Sequence, residues 1–331
     1  MDVLEQINSG ISHVYNGNVN SFGAHEKFIR LASQKIDNQN LIKRMFERDV
    51  TLWADDDAGK NEAAIRLNWL EVLPHKNALV DDAKKLLSDC LSDGFSHVLL
   101  IGMGGSSLAP EVYQSVLYAI EPNQAKRALS LAILDSTDPD QVLSSTNRAP
   151  LQKTLFIISS KSGTTAEGDA IFAYLWARCK NEMVPNPGKH FVAITDPGTS
   201  LEKIAREKGF RKIFNADKHV GGRFSALIAF GLVPAVLCGL DVPSMLATAK
   251  EIEEYCARTD ISKNPAASLA AFITGAYFAG ANKLTIISDS PIASLGSWLE
   301  QLIAESSGKN GKGILPIDGE PLIADFSQYS R

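Results

Sequence analysis

"TLFIISSKSGTTAE", residues 154–167, turns abruptly from an apolar run into a segment of hydroxyls, a lysine and a glycine. Leu155 to Ile158 is short enough for a strand and shows no polar alternation, the pattern of a strand covered on both faces. The five hydroxyls of "ISSKSGTTAE" then occupy the exit of that strand, and the next stretch, "AEGDAIFAYLWAR", reads as a helix. Thr164 with Glu167 fits a T-x-x-E capping box for its start. A strand, a donor-rich loop and a helix in succession form the repeating element of an open parallel sheet.

The same order recurs on either side. Strand-like runs "HVLLI" (97–101), "LSLAIL" (129–134) and "HFVAIT" (190–195) alternate with helix-like stretches, and "RKIFN" (211–215) adds a fifth. The spacing predicts an α/β domain over 86–222, a doubly wound parallel sheet with helices on both faces. Residues 1–85 read as an N-terminal helical segment, in which "NLIKRMFERDVTLWADD" places Leu41, Met45, Val50 and Trp53 at helical spacing. Over 223–331 helices lead to a strand-like "KLTIIS" (283–288), a helix and a glycine- and lysine-rich loop, the start of an incomplete second α/β unit.

Composition narrows the functional classes. The chain has 331 residues, enough for two buried cores, with 45% hydrophobic and 21% charged residues and a net charge of −5. That balance argues against a nucleic-acid surface, so any anion site must be local. Cys90, Cys179, Cys238 and Cys256 are scattered, and His13, His25, His75, His97, His190 and His219 have no metal spacing. A reducing cytoplasm is therefore expected, with no metal. "MDVLEQINSG" is not a secretory signal. The longest apolar segment, "ALIAFGLVPAVLCGL" (226–240), is too short to span a membrane and contains Pro234, so it reads as a buried helix bent or broken there.

Four segments could carry chemistry. In open parallel sheets, ligands bind beyond the carboxyl ends of the strands, where helix N-termini offer free N–H groups. Ser160, Lys161, Ser162 and Thr165 are placed there to hold a phosphate monoester; the alternative is a well-capped connecting turn. "IGMGGSSLAPE" (101–111) also follows a strand, and its glycines permit close backbone approach. A dinucleotide fingerprint would need glycine where Ser107 stands, and Asp135 lies too far on, so no nicotinamide cofactor is expected. "KHVGGRFS" (218–225) sets Arg223 at a helix start, to hold an anion or to cap surface structure. In "WLEQLIAESSGKNGKG", Gln301 and Glu305 share one helix face, and Glu305 lies near the C-terminus. The helix dipole and desolvation would both raise its pKa, which suits a general base; an ordinary exposed glutamate is the other reading.

Taken together, "IGMGGSSLAPE", "SSKSGTTAE", "VGGRFS" and "EQLIAESSGKNGKGILP" resemble, in order and separation, the glucose-6-phosphate isomerases built from two sugar-isomerase (SIS) domains. The segment "MFERDVTLWADD…AIRLNWLEVLP" is most similar to the isomerase half of fused transaldolase/glucose-6-phosphate isomerase proteins. The resemblance implies a SIS-type fold and aldose–ketose isomerisation of glucose 6-phosphate and fructose 6-phosphate through a cis-enediol, without a cofactor. It implies a phosphate-binding loop at Ser160, Lys161, Ser162 and Thr165, and a glycine-rich turn beside the sugar at Gly105 and Ser106. Arg223 matches the enediolate-stabilising arginine, Gln301 a substrate contact and Glu305 the catalytic base. The expected partner is a phosphorylated hexose, with a homodimer possible. "FSQYSR" ends the chain before the family's later segment, which supplies a ring-opening histidine and a lysine, so those roles are not assigned. The chain accordingly reads as an isomerase fragment, or as a remnant that binds sugar phosphate without efficient turnover.

Overall fold

A computed structural model describes residues 25–71 and 77–321. The readings made on residues 1–24, on His75 and on the terminal "FSQYSR" lie outside them. The described chain forms two compact units. One is built from the described residues up to Leu52 together with Ile252–Lys283, and the other from Trp53–Glu251 with the described residues from Leu284 onward.

The larger unit holds the sheet. In chain order it contains α1 (Asn77–Ser92), β1 (His97–Gly102), α2 (Leu108–Ile120), β2 (Ser130–Leu134), α3 (Pro139–Thr146), β3 (Thr154–Ser159), α4 (Ala166–Asn181), β4 (Phe191–Thr195), α5 (Ser200–Glu207), β5 (Lys212–Asn215) and α6 (Ala229–Cys238). Strands β1 to β5 make one sheet in the order β2-β1-β3-β4-β5, and every neighbouring pair is parallel. All five expected strands are present, and the strand reading of residues 154–158 extends one residue to Ser159.

Both faces of the sheet are covered, which explains the continuous apolar runs. Side chains alternate across a strand, so neighbours in one run serve two different cores. Val98, Leu100, Leu155, Ile157, Val192 and Ile194 join one core with residues of α1, α2 and α6. Leu99, Ile101, Phe156, Ile158, Phe191 and Ala193 join the other with Ile171, Phe172 and Leu175 of α4 and Leu201 of α5. The helices following β1 and β3 thus lie on opposite faces, and the loops leaving those strands flank a crevice.

Helix α6 is the buried helix read from sequence, and of the two outcomes expected at Pro234 it excludes a break. All ten of its residues are buried, and the helix continues through Pro234 without ending there. Burial against the first core offsets the proline's missing N–H.

Beyond α6 the larger unit runs on to Glu251 and resumes at Leu284, within β6 (Lys283–Thr285), followed by α7 (Leu295–Ser307) and β7 (Leu315–Ile317), and β6 pairs with β7 in a two-stranded sheet. The strand "KLTIIS" is therefore shorter than read from sequence. Ser297 Oγ donates to Asp318 Oδ2 at 2.8 Å, tying the start of α7 to the chain leaving β7.

In the smaller unit, the helix His25–Asn38 packs on the helix Pro265–Phe278, where a Cβ on Gly275 would lie 2.5 Å from the Ile29 backbone. The helical spacing read in "NLIKRMFERDVTLWADD" is not carried by one helix. A helix over Leu41–Phe46 ends before Arg48, which has φ +59°, and a short 3-10 turn spans Val50–Leu52. Asp49 causes the break: its carboxylate accepts from the Thr51 N–H at 3.0 Å and from Arg44 Nε at 2.7 Å.

Candidate active site

The parallel register sets two loops side by side. Gly102 at the end of β1 is the partner of Ser159 at the end of β3. Ser159 Oγ donates to the Ser106 carbonyl at 3.2 Å, so the glycine-rich turn Gly104–Ser106 is fastened to the entrance of the hydroxyl loop.

The hydroxyl loop is internally braced. Ser160 Oγ and Thr165 Oγ1 are 2.8 Å apart, and Ser160 Oγ accepts from the Gly163 N–H at 3.2 Å. Gly163 has φ +67°, and a Cβ there would meet Thr199 at 2.7 Å, so the loop's reversal requires glycine. The expected capping box at Thr164 is not formed. Thr165 is the residue before α4, and its hydroxyl faces Ser160 instead of capping the helix, while Thr164 donates to Ser162 Oγ at 3.1 Å. The first amides of α4 therefore have no side-chain cap, and the helix dipole places partial positive charge beside Ser160 and Thr165.

Lys161 has a partner that local sequence does not announce. Its ammonium is bonded to Asp196 Oδ2 and reaches the Lys218 carbonyl at 3.4 Å. Asp196 follows β4, and its other oxygen, Oδ1, is buried with no hydrogen-bond partner. The strand-exit rule that picked out Ser160 could have found it, because Asp196 stands at the same end of the neighbouring strand.

The glycine-rich turn also meets the segment that carries Arg223. A Cβ on Gly105 would lie 2.2 Å from the Gly222 carbonyl oxygen, a contact only glycine permits. Ser225 Oγ donates to the Gly105 carbonyl, closing the two turns on each other. From the other side comes α7. A Cβ on Gly104 would meet Gln301 Nε2 at 2.7 Å. Gln301 Nε2 donates to Glu305 Oε1 at 2.9 Å, and Gln301 Oε1 is buried without a partner. Arg223 donates through Nε to Ser306 Oγ at 2.9 Å and through a terminal nitrogen to Glu305 Oε2 at 3.4 Å.

Gly105, Arg223, Gln301 and Glu305, distant in sequence, are thus linked by direct contacts. Ser160, Lys161, Ser162 and Thr165 form a second cluster, joined to the first through Ser106 and the Lys218 carbonyl. Ser106, Ser225, Ser306 and Asp196 supply these links, and of the four only Ser106 was singled out from sequence. The desolvation expected around Glu305 is not present: its side chain is 47% exposed, with the guanidinium alongside. Arg223 is 31% exposed, so their pairing fixes geometry more than it adds stability. Among the described residues no cluster of histidine, cysteine or carboxylate has the make-up of a metal site.

Comparisons with known proteins bear on the family and the fold. The phosphoglucose isomerase family model matches residues 24–316. Among curated proteins, the glucose-6-phosphate isomerase of Acaryochloris marina is 39% identical over 224 residues, covering 65% of this chain and 40% of that protein. The glucose-6-phosphate isomerase of Methanocaldococcus jannaschii is 35% identical over 230 residues, covering 68% of this chain and 54% of that protein. The chain thus spans about half, or less, of the length of these relatives. Among solved structures, a glucose-6-phosphate isomerase from Chlamydia trachomatis superposes with a TM-score of 0.63 at 20% identity, covering 91% of this chain and 62% of that one. Tagatose-6-phosphate ketose/aldose isomerase from Escherichia coli gives a TM-score of 0.52 at 15% identity, covering 80% of this chain and 68% of that one. At these identities the structural likeness speaks for the fold, a SIS-type α/β sheet. The match of the family model across most of the sequence carries the wider conclusion: the chain belongs to the phosphoglucose isomerase family.

Proposed function

We propose that the chain carries the aldose–ketose isomerisation of glucose 6-phosphate and fructose 6-phosphate, with Glu305 as the base. The observation that supports this most directly is the junction of Glu305, Gln301 and Arg223 against the Gly104–Ser106 turn, at the carboxyl end of a parallel sheet. A carboxylate, a guanidinium and close backbone are the groups such a proton transfer needs.

In this reading the phosphate docks on Ser160, Ser162 and Thr165 and the uncapped amides of α4, with Lys161 adding its charge. The open-chain sugar lies along Gly105 and Ser106 toward α7, in contact with Gln301. Glu305 removes the proton from C2 of the aldose and returns it to C1, while the hydroxyl proton passes from O2 to O1. No electrons leave the substrate, so the step balances without an oxidant. Arg223 stabilises the negative charge on oxygen in the cis-enediolate, and general-base assistance of this kind contributes about 10² to 10⁴ in rate. The partner is accordingly a phosphorylated hexose, and a homodimer and a cytoplasmic location belong to the same proposal. No described helix is long and apolar enough to cross a membrane.

Incubating the chain with fructose 6-phosphate in deuterated water tests the reading. NMR should show deuterium entering C1, with glucose 6-phosphate appearing alongside, and Glu305→Gln should lower the exchange by about 10²-fold or more. Equal, uncatalysed exchange in both proteins would remove Glu305 from the role and leave a sugar-phosphate-binding module.

A further inference from the structure

Beside Arg223 stands an aromatic pair to which neither the family resemblance nor the site chemistry assigns a role. The Arg223 guanidinium carbon lies 4.9 Å from the centroid of the Phe224 ring. The Trp69 indole lies against Phe224, with centroids 4.6 Å apart and planes inclined by only 9°. Phe224 is therefore shared between the Arg223 guanidinium and the Trp69 indole, and the indole comes from a segment about 150 residues earlier in the chain.

That segment is fastened at several other points. Leu67 forms an isolated antiparallel bridge with Val220. Asn68 Nδ2 donates to Asp217 Oδ2 at 2.9 Å, and the Asn68 N–H to the His219 carbonyl at 3.4 Å. His219 Nδ1 lies 3.0 Å from the Ile65 carbonyl, and the His219 N–H donates to Asp217 Oδ1 at 2.9 Å. Every anchor falls on residues 217–224, the stretch that presents Arg223 and supplies the Lys218 carbonyl to Lys161. Leu67 and Val220 are buried, so the clamp is rooted in the core.

A guanidinium lying on an aromatic face loses freedom in two rotations, and its N–H groups stay directed in the ring plane toward their acceptors. Arg223 reaches Ser306 and Glu305 through its N–H groups while its guanidinium carbon lies over the Phe224 ring. Fixing Phe224 therefore restrains the guanidinium that lies over it, and stacking on Trp69 fixes Phe224.

We infer that Trp69 is a positioning residue for Arg223, acting through Phe224, and that the segment Leu67–Trp69 holds the arginine's loop in its working geometry. The role in catalysis rests on the function proposed above; the role in orienting the guanidinium does not. Small misplacement of a charge-stabilising group lowers the rate without abolishing substrate binding. Replacing Trp69 should thus reduce kcat about 10-fold or more and leave KM within about threefold.

Two measurements on the same variants separate the inference from that reading. The first is the 15Nε–H NMR signal of Arg223, assigned by its loss in Arg223→Lys. In the wild type it should show the shift and slowed exchange of a donor bonded to Ser306; Trp69→Leu and Phe224→Leu should move it toward the free-arginine position, and Trp69→Phe should largely restore it. The second is the kcat and KM of fructose 6-phosphate isomerisation, expected to follow the same order. Thermal melts confirm that each variant is folded; if Trp69→Leu does not fold, Trp69→Met, which keeps more of the volume but no aromatic face, takes its place, with the same displaced signal expected. A wild type that gives the ordered Arg223 signal but no isomerisation would defeat the proposed function and leave the positioning role standing. An Arg223 signal unchanged in folded Trp69→Leu and Phe224→Leu would overturn the positioning role, whatever the activity.

Discussion

Gly105 shows how much of the site rests on an atom that is absent. The turn after β1 touches the backbone at Gly222, and a Cβ at Gly105 would lie 2.2 Å from that carbonyl oxygen. Backbone cannot swing aside as a side chain can, so Gly105→Ala must separate the turn from the Arg223 segment. Overpacking of this kind costs about 1–3 kcal/mol, and a shift of even 1 Å in a positioning group can cost on the order of 10²-fold in rate. Urea unfolding and the deuterium-exchange assay should show both losses, whereas Gly221→Ala, whose Cβ would sit at an ordinary 3.5 Å from Phe224, should lose little of either. At this scale the sequence was legible where chemistry depends on residue type: glycines after β1, hydroxyls after β3, a glutamine and a glutamate one turn apart on α7. Ser306 was not, because its importance comes from Arg223, 83 residues away, and Asp196, whose place after β4 could have drawn notice, has its partner Lys161 35 residues away.

The elements were legible where burial was unambiguous. Strands with no polar position can only be covered on both sides, and all five formed a parallel sheet, with ends shifted by a residue. The misread elements are those where a local polar contact competes with periodicity. Asp49 ends a helix that the spacing of Leu41, Met45 and Val50 would have continued, and Thr165 turns its hydroxyl to Ser160 instead of leaving Thr164 to cap α4. Within the sheet, β4 is the element on which the second core depends. Phe191 is fully buried and its ring meets Phe156, Phe172, Trp176 and Phe210 at centroid distances of 5.1, 5.5, 5.6 and 5.3 Å. Phe191→Ala removes the ring shared by all four contacts and should cost about 3–5 kcal/mol. Phe191→Leu, which keeps most of the volume, should cost much less. Chemical denaturation followed by tryptophan fluorescence would measure the difference, since Trp176 is itself one of the partners.

For the molecule as a whole, the response to pH follows from which groups the fold buries. His190, just before β4, is 7% exposed and tilts against Phe95 at a centroid distance of 4.8 Å. Burial pushes its pKa below the usual 6.5, and the Arg211 charge acts in the same direction, while hydrogen bonds to the Thr154 and Leu151 carbonyls oppose them. The folded protein therefore holds a neutral imidazole where the unfolded chain would already be protonated. Above pH 6.5 neither state carries the proton and stability is unaffected; as pH falls below 6.5 the unfolded state binds it first, and stability declines until the folded histidine protonates as well. The slope from one such group is at most about 1.4 kcal/mol per pH unit. Asp49, Glu202, Asp241 and Asp260 are shifted downward, so the stability they contribute is lost only as pH falls below the ordinary carboxylate range, beneath this window. At the alkaline end, burial raises Cys90 and Cys179 to about 11 and Cys238 to about 12, so the unfolded chain ionises first and stability declines above pH 9. Unfolding free energies at half-unit steps from pH 8 to pH 5 should be flat to about 6.5 and then fall. In His190→Phe, which keeps a ring against Phe95 but cannot take up a proton, the decline below pH 6.5 should be absent, at a level lowered by loss of the bond to Thr154; Glu111, raised by burial and by Asp135, binds its proton first in the folded state and so works against any decline. Parallel declines in the two proteins would assign the acid sensitivity to other groups and leave His190 a packing residue.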